Sequence, residues 1–174
     1  MSTSDRAAKV RGWLTGRLPE DWFEGQVYVT VDREEITVLG RLAPPEVADE
    51  ASDVERAAAV AGRIKQFRED TRDRRIEIAQ ELEYRSDRKV AWGVECGGRR
   101  QMFTNLAAPV MTRLRQPERQ VLDTLVDAGV ARSRSEALAW CVKLVGQHTE
   151  DWLGQLRTAM AKVEEIRDSG PTAS

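Results

Sequence analysis

The side chains best placed to do chemistry lie between residues 110 and 146. In Met111-Thr112-Arg113-Leu114-Arg115, an extended backbone sends alternate side chains to opposite faces, so Met111, Arg113 and Arg115 share one face and Val110, Thr112 and Leu114 the other. The first face is basic, and a guanidinium fork there can grip an acceptor pair such as guanine O6 and N7. Further on, Ser133-Arg134-Ser135-Glu136 has the S-x-x-E form of a capping box. In such a box the hydroxyl and the carboxylate each satisfy an N–H that a helix start leaves without a partner.

Other candidate chemistry is excluded by its surroundings. Cys96 and Cys141 are the only cysteines and neither has a C-x-x-C neighbour, which argues against a disulfide framework or a zinc site and for two small buried hydrophobes. His148 is the only histidine, has no partner cluster, and reads as a helix-junction residue. Asp32, Glu34 and Glu35 fall at an expected exposed turn and read as solvated. Gly97-Gly98 followed by Arg99-Arg100 lacks the G-x-G-x-x-G and P-loop spacings, and reads as a hairpin turn. No nucleophile, base or metal constellation remains, so neither catalysis nor a cofactor is expected.

The elements that position the basic face follow from spacing. Pro117 suits a first helical position, because its missing N–H would have no partner there, and Val121, Leu122, Leu125 and Val126 follow at helical intervals. Ala128-Gly129 closes that helix. Ser133 opens a second, with Leu138, Cys141, Leu144 and Val145 on one face. Thr149 can cap a third, with Glu150 and Asp151 in its first turn and a stripe of Trp152, Leu156, Met160, Val163 and Ile166.

Taken together, Arg113-Leu114, Leu125-Val126-Asp127-Ala128-Gly129 and Ser133-Arg134-Ser135-Glu136-Ala137-Leu138 resemble the ribbon-helix-helix family of DNA-binding proteins over residues 110–146. The resemblance implies that two chains pair their strands into an antiparallel ribbon that enters the major groove, with four helices as the dimer core. It turns Met111 and Arg113 outward, with Arg115 on the same face and Pro109 at the outermost reading position. Ser133, Arg134 and Ser135 would hold a phosphate through backbone N–H groups and the helix dipole.

The N-terminal part reads differently. Residues 1–8 are polar and expected to fray, and Val10, Trp13, Leu14 and Leu18 sit near helical spacing before Pro19. Trp13, Trp22 and Phe23 are expected to cover a small core. Residues 26–42 alternate through Val27, Val29 and Val31, turn at residues 32–35, and return through Ile36, Val38, Gly40 and Leu42. Residues 89–104 repeat the hairpin around Gly97-Gly98. Between them, an apolar stripe from Val47 to Leu82, interrupted by Arg75, predicts one long helix or two with a break within residues 69–74.

The expected fold is therefore α+β. Residues 1–106 would form two β-hairpins packed with a long helix, residues 107–148 a ribbon-helix-helix module, residues 149–168 a C-terminal amphipathic helix, and residues 169–174 a disordered tail. The 27 basic and 29 acidic residues give a net charge of −2, so there is no global basic field and any DNA contact must be local. Few cysteines and no apolar run long enough for a signal or membrane span point to a cytoplasmic protein.

The reading that follows is a dimeric, sequence-specific binder of double-stranded DNA that regulates transcription. Its N-terminal domain is left to sense an effector or contact a protein partner, with no role at a membrane. The alternative is a non-catalytic dimerisation or adaptor protein that keeps the fold without the DNA contact. Uncovered Arg113 and Arg115 favour the first; the same residues packed away favour the second.

Overall fold

Alternation of β-branched residues builds the sheet. In the computed structural model, which describes residues 3–170, β1 (Tyr28–Val31) and β2 (Glu35–Arg41) form an antiparallel hairpin, and β3 (Lys89–Cys96) and β4 (Arg99–Met102) form another. The Asp32 carboxylate closes the first turn by accepting from the N–H groups of Glu34 and Glu35 at 2.8 and 2.7 Å. Gly97 and Gly98 close the second with φ of 53° and 77°, values costly for a residue with a Cβ.

The hairpins are not separate. β2 and β3 pair in parallel, with Ile36 opposite Val90 and Val38 opposite Trp92, giving one mixed sheet in the order β1-β2-β3-β4. Three helices pack on this sheet's apolar face: α1 (Thr3–Arg17), α2 (Asp53–Asp70) and α3 (Arg72–Ser86). Val29, Val31, Ile36, Val38, Val90 and Trp92 meet Val10 and Leu14 of α1 and Ile78 and Leu82 of α3. Ile64 and Phe67 of α2 meet Leu42, Val94 and Cys96 in a second cluster. Trp13, Trp22 and Phe23 are half-buried at the margins of these clusters.

Two features depart from expectation. Helix α1 begins at Thr3, where fraying through residue 8 was expected, because Val10 and Leu14 are anchored in the core. Helix α2 opens on a complete capping box, with Ser52 Oγ accepting from Glu55 N and the Glu55 carboxylate accepting from Ser52 N. That S-x-x-E was present in the sequence beside the one at Ser133.

Among the described residues, those from Pro109 onward form a second compact unit. It contains α4 (Gln116–Asp127), α5 (Arg134–His148) and α6 (Glu150–Ser169). The strand expected at residues 110–115 is absent, since a strand needs a neighbour and this segment has none among the described residues. Helix α6 runs through Ser169 and belongs to the same unit as α4 and α5; the remainder of the expected tail, residues 171–174, lies outside the described residues. The chain is thus α+β, with six helices and a four-stranded mixed sheet among the described residues. No helix there is long and apolar enough to cross a membrane.

Candidate functional site

The C-terminal unit begins as an irregular segment, in which Leu114 turns inward and Arg115 is extended at φ −79°, ψ 173°. Leu114 packs against Leu122, Ala131 and Ala137, the buried residues among those described in this unit. Met111 is 96% exposed, and Arg113 and Arg115 are exposed with no salt bridge among the described residues. The expected alternation holds at Leu114 and fails at Val110 and Thr112, both exposed. The described residues offer Val110–Arg113 no backbone hydrogen-bond partner.

At the start of α5, Ser133 is the N-cap and its Oγ accepts from Glu136 N at 3.2 Å. The return half of the box is displaced by one residue. Glu136 accepts from the Arg132 backbone N–H at 2.7 Å and from Arg132 Nε at 3.1 Å, where reciprocation to Ser133 was expected. These bonds hold the Glu136 carboxyl below the usual carboxylate range, the Arg132 side chain contributing most.

Arg134 is similarly committed. Its Nε and Nη2 donate to the two carboxylate oxygens of Asp123 on α4, at 2.6 and 2.8 Å. This bidentate pair ties α4 to α5 and holds the Asp123 carboxyl below its usual range. The Arg134 side chain therefore braces two helices, leaving the backbone N–H groups of Arg134 and Ser135 as the donors a phosphate could meet. Thr149 stands before α6 but its hydroxyl donates back to Val145 O at 2.6 Å and caps nothing forward. His148 ends α5 with Nδ1 3.0 Å from Leu144 O, a helix-end contact.

The apolar content of this unit is largely uncovered. On α6, Trp152, Leu156, Met160, Val163 and Ile166 recur every three or four residues and are all exposed, as are Val142 and Val145 on α5. A one-sided stripe of this kind is normally buried against another surface.

Sequence reasoning also missed a cationic cleft in the N-terminal unit, bordered by Arg6, Lys9, Trp13, Arg85 and Arg88. These residues come from distant points of the chain and carry no shared motif. No group of His, Cys, Asp and Glu among the described residues could hold a metal ion. Cys96 is buried, which pushes its thiol pKa up, and Cys141 is half-buried; both are free thiols.

Comparison with known proteins divides the chain in the same way as its two units. Residues 8–102 match the N-terminal domain of Rv1265-like protein, and residues 115–167 match the Mb1296 C-terminal domain. This corrects the resemblance drawn for residues 110–146, since no ribbon-helix-helix family is recognised there. The motifs that suggested it, a Gly-closed helix followed by an S-x-x-E start, report helix termination and capping, which unrelated helix pairs share. No solved structure matches the chain. Uncharacterized protein Mb1296 of Mycobacterium bovis and uncharacterized protein Rv1265 of Mycobacterium tuberculosis are each 62% identical to it over 159 residues, 91% of this chain and 69% of theirs. With both domains matched in order and at that identity, the chain belongs to the Rv1265-like protein family.

Proposed function

We propose that the chain acts as a homodimeric DNA-binding protein that regulates transcription, with its C-terminal unit supplying both the pairing face and the DNA contact. The observation that carries this reading is the state of residues 110–115. The backbone of Val110–Arg113 lacks a hydrogen-bond partner among the described residues, while Arg113 and Arg115 stand exposed without a carboxylate. Pairing of this segment with the same segment of a second copy would satisfy both backbones and set four arginines on one ribbon of a width the major groove admits. The uncovered stripe on α6 gives the second copy apolar surface to bury.

In this arrangement Arg113 reads a base edge, Arg115 neutralises phosphate, and the N–H groups of Arg134 and Ser135 fix the backbone. Met111 adds an apolar contact. The alternative, pairing without DNA, draws on the same uncovered stripe and on the overall charge of −2.

Capture of fragmented genomic DNA at low and near-physiological salt, followed by sequencing, tests the proposal. Nonspecific retention falls steeply with salt, so persistent fragments carrying short repeated half-sites are expected. A dimer that retains no DNA even at low salt would leave the adaptor reading.

A further inference from the structure

The N-terminal unit contains a cleft of about 580 Å³ between α1, the first hairpin and the end of α3, within the roughly 300–1,000 Å³ typical of small-molecule sites. Its floor is hydrocarbon: Val10, Val31, Ile36 and Leu82, each buried in the core, with Trp13 beside them. Its other borders are Arg6, Lys9, Arg85 and Arg88, together with Ser86, and no carboxylate lines it.

The four cations line the cleft without a carboxylate among them. None makes a salt bridge among the described residues. Arg88 is held by two carbonyls, donating Nε to Asp32 O and Nη1 to Ser86 O, each at 2.8 Å. Arg85 lies over the Trp13 ring, 5.3 Å from its centre. Glu81, which acts electrostatically with Arg85, is taken by Arg17. Glu34, Glu83 and Asp87 line a neighbouring hollow that shares only Arg88 with the cleft.

We infer that this cleft binds a single amphipathic anion, a hydrocarbon chain bearing a phosphate group, with the chain on the aliphatic floor and the phosphate among the four cations. A hydrocarbon body fits better than a nucleobase because the floor offers no polar group to read a base edge. The one hydroxyl of the lining, Ser86 Oγ, already donates to Leu82 O at 2.7 Å. Two or more uncompensated cations around one rim select an anionic head over a neutral one.

The test is calorimetric titration of the full chain with n-decyl phosphate below its micelle concentration, with decanol, inorganic phosphate and ATP as comparators. Saturable binding of decyl phosphate is expected, with decanol and inorganic phosphate each weaker by at least about tenfold. The double variant Arg6→Gln/Lys9→Gln alters two side chains without ion pairs among the described residues, so its melting temperature should match the wild type while affinity falls by about tenfold or more. Equal binding of decanol would overturn the anionic half of the assignment, and tighter binding of ATP the hydrocarbon half. Sedimentation with phosphatidic-acid vesicles in the absence of any saturable response to decyl phosphate would overturn the single-molecule assignment, as would unchanged affinity in the double variant.

Discussion

Arg75 and Thr71 close the break between α2 and α3: Arg75 Nε donates to Thr71 Oγ1 at 2.9 Å, and that hydroxyl donates onward to Phe67 O at 2.6 Å. Arg75 Nη2 reaches Arg68 O at 2.7 Å, and its guanidinium lies 4.8 Å from the centre of the Phe103 ring. The charge is thus buried against a carbonyl, a hydroxyl and an aromatic face. Desolvation, with Arg68 and Arg72 nearby, lowers its pKa to about 10. This explains why the apolar stripe of the sequence is interrupted at Arg75: the residue sits in the core and splints a helix break.

Thr71→Val keeps the shape and removes the acceptor. It should destabilise the N-terminal unit by about 1–3 kcal/mol, because a buried charged donor loses its partner. Thr71→Ser should lose less. Urea denaturation checks the order, and equal midpoints for the two variants would show that the hydroxyl contributes nothing.

Arg113→Ala should weaken specific DNA binding by about 1–3 kcal/mol through loss of a base contact. Arg115→Ala should reduce the slope of log affinity against log salt while leaving sequence preference intact. Titrations at several salt concentrations separate the two, and an isotherm unchanged by Arg113→Ala removes that residue from the reading face.

Met160→Glu and Val163→Glu place charges in the α6 stripe, where each apolar side chain buried on pairing is worth about 1.5–3 kcal/mol. Sedimentation should show a dimer for the wild type and a monomer for either variant, with helix content by circular dichroism retained. A monomeric wild type would remove pairing altogether.

The Asp123–Arg134 bridge gives a pH dependence of known sign. Asp123 has a folded pKa below its unfolded value, so its contribution is complete above the unfolded value of about 3.9 and is lost as pH falls through the folded one. The stability difference between wild type and Asp123→Asn should therefore be flat above about pH 5 and shrink below about pH 4. Glu136 follows the same direction. A difference that grows on acidification would contradict the pairing.

Much of the sheet was legible because its signals are local: Val27, Val29 and Val31 alternate, and Gly97-Gly98 permits only a tight turn. The helix break was legible to within a few residues from the charge-rich run around Thr71. The parallel joining of β2 to β3 was not, since no local pattern distinguishes two separate hairpins from two that share a seam. In the C-terminal unit, helix ends could be read but the family could not. The pairing of the Arg134 side chain with Asp123 could not be read, because Asp123 lies on the preceding helix. The cleft was invisible for the same reason, its cations coming from α1 and from the end of α3.

The seam between β2 and β3 also sets how the N-terminal unit must fold. Each hairpin can close locally, but Glu35 pairs with Lys89 and Arg41 with Glu95. No seam exists until α2 and α3 have carried the chain back. On the ribosome, the first hairpin must wait with one edge unpaired, exposing the backbone of Glu35–Arg41, until β3 emerges. Pairing this distant in sequence must close a long loop before its contacts repay the cost, so the seam is expected to form after either hairpin.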